Sequence, residues 1–346
     1  MRTQALRTAA SRRGLTLLEL LMVMTVIGIV FGLGIGALST MDLGRGADAE
    51  ALRGALRSAR ASALAERHPA AVDVVTDPET QRTSLVVRRM RTLGTWHFES
   101  PDGRGTDGLT ASPVKGATQI DDGFVGRALH FSGRERDARA EIALETKSAY
   151  DVRDGFSIDL VVRLDSTSGG TVFRLGKRTR ICGLEVVEGG GLLGFVVPLY
   201  SDSTGRELQA GRVDLKLPPG TLEAGRWIRL TLAYDGAQLR LFVDGFLSGV
   251  VDVQGPLPRI DEPLVLGGEP VPFPGAIDSL VLRGVDVSEP LPLSQNAEWP
   301  AELPRRIQFD ADGSLDVLIH GGLPLELVLP SEPDEPVFVG RLGVVQ

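Results

Sequence analysis

Cysteine is almost missing: the chain of 346 residues holds one, Cys182. A lone thiol forms no internal disulfide and supplies no C-x-x-C metal or redox pair, so Cys182 reads as a small buried apolar residue. Aromatic residues are sparse at 5%, and basic residues are outnumbered, giving a formal net charge of −8. Phosphate recognition needs clustered Lys and Arg, so nucleic acid is not an expected partner. Catalytic signatures are lacking as well. His68, His97, His130 and His320 are scattered, with no H-E-x-x-H, no G-x-S-x-G and no Walker-type loop. Gly32, Gly34 and Gly36 mimic part of a dinucleotide fingerprint but lie inside an apolar run rather than after a strand. No cofactor is expected. Asp121, Asp122 and Glu269 are acidic loop positions able to offer oxygens to Ca²⁺, which takes about six to eight of them, and solvated loop carboxylates account for them more simply.

What is abundant points to β structure. The 42 Gly and 21 Pro imply many turns, and the length suits two domains. The first 14 residues form the clear basic cluster, with Arg2, Arg7, Arg12 and Arg13 and no acid. Residues 15–38 are then apolar except for one charge, Glu19, and are long enough to span a bilayer as a helix. Positive flanks stay in the cytoplasm, so the rest of the chain is expected outside it. A secretory signal has an apolar region of about 7–15 residues ending in a small-residue site; this run is longer and Gly-rich there. A plain signal anchor explains the length but leaves Glu19 without a reason, and an ionisable residue in hydrocarbon is a functional hypothesis by default. Gly28, Gly32 and Gly36 share one helix face, which permits close helix packing or loosens the helix.

Gly14 followed by LTLLELLMVMTVIGIV resembles the signal of type IV pilins and type II secretion pseudopilins. That resemblance implies cleavage by a prepilin peptidase between Gly14 and Leu15, methylation of the new N-terminus at Leu15, and an assembly role for Glu19 beside the terminal amine of a neighbouring subunit. Other pilin or pseudopilin subunits and the inner membrane are the implied partners. Leu stands where Phe is commoner in the family.

After the apolar run, Leu52, Ala55, Leu56, Ala59 and Ala63 fall at helical spacing, and Pro69 ends that helix near His68. Two β-rich runs, AAVDVV and SLVVRR, follow around a turn containing Asp77 and Pro78. From Arg305 the chain predicts three or four more strands with a DADGS turn. Arg306, Phe309, Asp312 and Gly313 resemble the closing strands of H-type minor pseudopilins. The expected fold is an α+β pilin fold, with residues 39–92 and 300–346 sharing one antiparallel sheet.

Residues 93–299 read as a separate all-β insert. Alternation from Trp227, a turn at Asp235 and Gly236, and a second alternating run are typical of its short strands, and their number argues for a sandwich. Its motifs, W-x-x-L-x-x-x-Y-D-G, L-x-L-F-V-D-G and F-x-G-x-I-D, resemble those of concanavalin A-like, laminin-G-like jelly rolls, with Trp227, Tyr234, Asp244, Gly245, Gly275 and Asp278 at the motif positions. The glycosidase branch of that family implies an E-x-D-x-x-E or E-x-D-x-E strand, which is absent; Glu185 and Glu188 are three apart and face opposite sides of a strand. The expectation is a non-enzyme: a minor pilin or pseudopilin displaying a lectin-like domain toward an extracellular glycan or protein ligand. The alternative is a membrane-anchored binding module outside any filament.

Overall fold

The computed structural model describes residues 46–346 apart from 101, 107, 115, 136–137, 145–149, 177–179, 202–205, 260–261 and 295–296. Helix α1 spans Ala47–Glu66 and buries Ala49, Leu52, Ala55, Leu56, Ala59 and Ala63 along one face, the stripe its spacing predicts. Arg67 closes it in a left-handed conformation two residues before Pro69. Its start is unusual. Gly46 is also left-handed, at φ 82°, and Asp48 N and Ala49 N donate to Oε1 and Oε2 of Glu332 at 3.2 and 2.8 Å. A carboxylate from far along the chain thus satisfies the orphan N–H groups and the positive end of the helix dipole. The buried Asp48 carboxylate in turn accepts from Ser294 N, Ser294 Oγ and Ser331 Oγ.

Among the described residues the strands begin with β1 (Ala70–Thr76), β2 (Thr83–Trp96), β3 (Ala111–Val114), β4 (Ala117–Ile120), β5 (Ala128–Ser132), β6 (Arg139–Ile142) and β7 (Phe156–Leu164). There follow β8 (Gly170–Leu175), β9 (Cys182–Val187), β10 (Gly191–Val196), β11 (Leu199–Ser201), β12 (Glu207–Gln209), β13 (Val213–Leu217), β14 (Trp227–Tyr234) and β15 (Gln238–Val243). The last are β16 (Phe246–Asp252), β17 (Leu264–Gly267), β18 (Pro274–Val287), β19 (Leu291–Pro292), β20 (Arg306–Phe309), β21 (Leu325–Leu327) and β22 (Val337–Val339), with a one-turn helix α2 (Val317–His320) after β20.

One sheet runs β16-β15-β14-β7-β18-β2-β1-β20 and a second runs β13-β10-β9-β8-β17-β6-β3. The two face each other: Leu160, Leu230 and Leu232 of the first and Phe173, Leu184 and Leu192 of the second are fully or almost fully buried in one core. A second core joins the α1 stripe to Val72, Leu85, Ile307 and Phe309.

The two cores share a strand. β2 pairs with β1 from Thr83 to Arg88 and with β18 from Arg88 to Trp96, so the division expected after residue 92 runs through continuous sheet. Leu293, Ala297 and Trp299, assigned by sequence to the insert, pack on the helix side. The reason lies in the length of β2. Leu85 near its start is buried under α1, and Trp96 at its end is buried in the sandwich, so one strand is the edge of both lobes.

The C-terminal run holds three strands, β20, β21 and β22, within the three or four expected, but a helix rather than a strand follows the turn. VLIH is apolar enough for a strand, yet Asp316 Oδ1 accepts from Leu318 N at 2.9 Å and caps it as α2, which Gly321 ends at φ 65°. The DADGS turn forms as read, with Asp312 Oδ1 accepting from Ser314 N and Gly313 at φ 75°.

Candidate functional site

Gly14, Leu15 and Glu19, the processing, methylation and assembly positions expected from sequence, lie outside the described residues, as does the whole 15–38 run. Among the described residues no helix is long and apolar enough to cross a membrane.

The motif residues of the sandwich are within it, and their work is architectural. Asp244 and Gly245 take φ of 50° and 83° in the two-residue turn joining β15 to β16. The Asp244 carboxylate secures that turn by accepting from Arg229 N at 3.0 Å and Arg226 Nη2 at 2.7 Å. Tyr234 is buried and donates its hydroxyl to the Gly255 carbonyl. A Cβ on Gly275 would stand 2.2 Å from the Arg163 carbonyl oxygen, so only glycine fits there. Burial pushes the Asp278 carboxyl up, opposed by the Val125 and Phe124 N–H groups it accepts from; it pins the loop of residues 121–127 over the sheet. Cys182 is buried in the core, and burial pushes its thiol up, the inert setting expected of it.

That loop and α1 lie on the outer face of the first sheet, the face turned from the sandwich core. Side chains alternate along β14, so Trp227, Arg229 and Thr231 share it, opposite Arg163, Val161 and Asp159 of β7. At one end Phe124 packs edge-on against Trp227, with ring centroids 6.5 Å apart, and Arg163 lies over the same ring at 4.9 Å. At the other end the close of α1 and the turn at Asp310 and Ala311 stand over the sheet. Under them, over β7, β14 and β18, is a cavity of about 350 Å³.

The floor of the cavity is a charged cluster assembled from four elements. Asp159 of β7 takes hydrogen bonds from Arg283 of β18 and Thr231 of β14, and His68 Nε2, just beyond α1, stands 3.7 Å from the same carboxylate. No sequence signal joins these residues: they are up to 215 positions apart (283 − 68), and only the register of β7, β14 and β18 brings them together. Burial first, and the Arg283 charge second, lower His68 to about 4, against the pull of Asp159. The fold therefore keeps His68 neutral.

A pH dependence follows from that shift. The unfolded chain protonates His68 near its ordinary value of 6.5 whereas the fold resists until about 4, so this part of the stability is full above pH 6.5 and is lost as pH falls toward 4. His320 acts in the same direction: burial lowers it, and its Nε2 accepts from Gln308 N at 2.9 Å, a bond that protonation breaks. Urea unfolding should show the free energy falling by roughly 3 kcal/mol across that window. His68→Gln should flatten most of the slope, and a slope unchanged in that variant would refute the assignment.

A second polar seam lies where β1, β2 and β20 meet the β14–β15 turn. Asp73 accepts from Arg88 Nε at 2.5 Å and Arg306 Nε at 2.7 Å, and Arg306 Nη1 reaches Asp235 at 3.5 Å. Burial opposes ionisation of Asp73, but the hydrogen bond and charge of Arg306, then those of Arg88, hold it below the usual carboxylate range. Nearby, Arg240 Nη2 meets Asp316 Oδ2 at 2.5 Å with both side chains almost fully buried. Together with the shared β2, these contacts fix the sandwich against the helical lobe.

Two of the acidic residues considered for Ca²⁺ are paired with arginines: Asp121 with Arg127 at 2.8 Å and Asp122 with Arg163 at 2.7 Å. Among the described residues no three His, Cys, Asp or Glu side chains are grouped to hold a metal.

Residues 137–285 match the concanavalin A-like lectin/glucanases superfamily, and residues 10–35 match the prokaryotic N-terminal methylation motif. No curated protein matches the chain. Among solved structures, domain 4 of AbnA, an extracellular arabinanase from Geobacillus stearothermophilus in complex with arabinotriose, aligns at 14% identity over 60% of this chain and 95% of that one, with a TM-score of 0.36. The binding domain of botulinum neurotoxin DC in complex with SialylT aligns at 11% identity, covering 57% of this chain and 47% of that one, TM-score 0.40. Mouse laminin alpha1 domains LG4-5 align at 17%, covering 63% and 46%, TM-score 0.30. The chain thus spans about half the length of the neurotoxin and laminin structures. It carries a type IV pilin-like N-terminal methylation motif at residues 10–35 and a concanavalin A-like domain, an all-β jelly-roll sandwich, at residues 137–285.

Proposed function

We propose that the chain is a minor pilin or pseudopilin: a subunit of a type II secretion or type IV pilus-like filament, cut by prepilin peptidase between Gly14 and Leu15, methylated at Leu15, and anchored in the inner membrane by residues 15–38. The observation that carries this reading is the methylation motif at residues 10–35, with Glu19 as the one charge in the apolar run behind it. The helical lobe is in keeping with it: α1 packs on the antiparallel strands β2, β1 and β20, the α+β arrangement expected of a pilin domain. Within that subunit the sandwich serves binding rather than catalysis, held at a fixed angle by the shared strand and the two polar seams so that its orientation follows the filament.

Intact-mass and N-terminal peptide analysis of the membrane-extracted protein tests the processing step. The mature chain is expected to begin at Leu15 with a methylated α-amine. A mature chain starting beyond residue 38 would establish an ordinary secretory signal and remove the filament reading.

A further inference from the structure

The second sheet carries, on the face turned from the sandwich core, a row of residues set opposite one another: Asp214 on β13, Phe195 on β10, Gly183 on β9, Arg174 on β8, Val265 on β17 and Glu141 on β6. Arg174 is only 5% exposed, and a guanidinium that deep is ordinarily paired with a carboxylate. Arg174 is not. Its Nη1 donates to the Glu269 backbone carbonyl at 2.6 Å, where Thr171 Oγ1 also donates at 3.4 Å, and its Nε is enclosed without a partner. Among the described residues no carboxylate oxygen stands within 4.0 Å of its nitrogens. The two acids of the row are taken by other arginines, Glu141 by Arg139 Nε and Asp214 by Arg212 Nε, both at 2.6 Å. Burial first, and the charge of Arg180 second, push Arg174 below its ordinary value, against the pull of Glu269. An apolar side chain would suit a position between Gly183 and Val265, so the charge calls for a reason outside the fold.

We propose that Arg174 and Arg180 form a binding site for a phosphate group. The donor that a ligand meets on Arg174 is Nη2, which makes no hydrogen bond among the described residues and, unlike Nε, is not enclosed. Arg180 is exposed and supplies the second guanidinium. Ile181 N donates to the Leu175 carbonyl at 3.0 Å, a bond that ties the residue after Arg180 to the residue after Arg174 and fixes Arg180 beside the end of β8. An oxyanion resting on Nη2 places a negative charge against a guanidinium that the fold leaves without one, in the charge-assisted geometry that arginine favours. Two guanidiniums suit a doubly charged acceptor. Phosphate also has three oxygens to divide between two planar forks, where a carboxylate has two. The inference is independent of filament assembly.

Isothermal titration calorimetry and thermal unfolding of the full-length protein in detergent micelles test it with inorganic phosphate, glycerol 3-phosphate and acetate, each against sodium chloride at matched ionic strength. Phosphate should bind at one site, and at about a hundredfold excess over its Kd should raise Tm by roughly 5 °C. Arg180→Gln, a change at the surface that leaves the fold alone, should weaken binding by roughly tenfold. Arg174→Met should abolish it, while Thr171 keeps its bond to the Glu269 carbonyl. Glycerol 3-phosphate separates two sources of the group: tighter binding than inorganic phosphate assigns the site to a phosphate carried on a larger ligand such as a lipid headgroup, and weaker binding assigns it to the free ion. Phosphate also stabilises folded proteins by exclusion from their surface, an effect that does not saturate and that both variants would retain. A rise in Tm of that kind alone, phosphate binding unchanged in Arg180→Gln, or acetate binding as tightly as phosphate would each overturn the proposal.

Discussion

Asp316→Ala is expected to cost about 3–5 kcal/mol of unfolding free energy, because it strands a buried guanidinium. Arg240 and Asp316 are 4% and 2% exposed; without the carboxylate, Arg240 keeps the Gln238 amide oxygen at 2.7 and 3.1 Å but no negative charge. The loss does not stop there. Asp316 Oδ2 also accepts from Gln308 Nε2 at 3.1 Å, and Oδ1 caps α2, so the same substitution frees the short helix and loosens β20. Replacing both partners with apolar residues, Arg240→Met with Asp316→Leu, should recover a good part of the stability, since a buried ion pair repays its desolvation only in part. Urea titration measures both. A loss below about 1 kcal/mol in the single variant would mean that water reaches the pair and that the seam is looser than its geometry.

The second large effect concerns Glu19. In a filament, Glu19→Gln should still be inserted and cut after Gly14, because neither step uses the charge, yet it should fail to enter the filament. A carboxylate in hydrocarbon is tolerable when the terminal amine of a neighbour stands beside it. Removing one member of such a pair leaves the other uncompensated, at roughly 3–5 kcal/mol per contact. Glu19→Asp keeps the charge and shortens its reach by one methylene, so it should fall between the two. Crosslinking to the major subunit in membranes reads the result directly. Wild-type crosslinking of the Gln variant would show that Glu19 has no part in assembly.

The elements with a strong local period were legible from sequence. The stripe of α1, the β14–β15 hairpin with its Asp235 and Gly236 turn, and the DADGS turn each depend on residues close in the chain, where the side-chain period and turn chemistry settle the outcome. The one-turn helix at VLIH was not legible, because apolar composition does not reveal a cap, and Asp316 is the cap. The merging of the two lobes was invisible for a different reason. Nothing in RTLGTW marks that β2 continues from one core into another; that depends on β18, almost two hundred positions later, arriving alongside it. The cavity suffers the same limit. Asp159, Thr231, Arg283 and His68 are ordinary residues in ordinary strands and loops, and only the register across β7, β14 and β18 makes them a site.

The carboxylate of Glu332 at the start of α1 also sets an order of construction. A chain delivered from its N-terminus presents α1 early, but the groups that complete the helix come 283 and 284 residues later, and β1 receives its outer neighbour only when residue 309 reaches residue 70. Most of a helix's stability in a protein comes from packing its apolar face, and pairing at such separation is slow. Until the sandwich has formed and carried the following segment back, α1 lacks its cap and β1 has a bare edge. Any chain broken off before residue 332 is left in that state, with an apolar stripe and an open strand for proteases and chaperones to find. Insertion of the sandwich inside the helical lobe, rather than after it, makes closure of that lobe a report that the sandwich is whole.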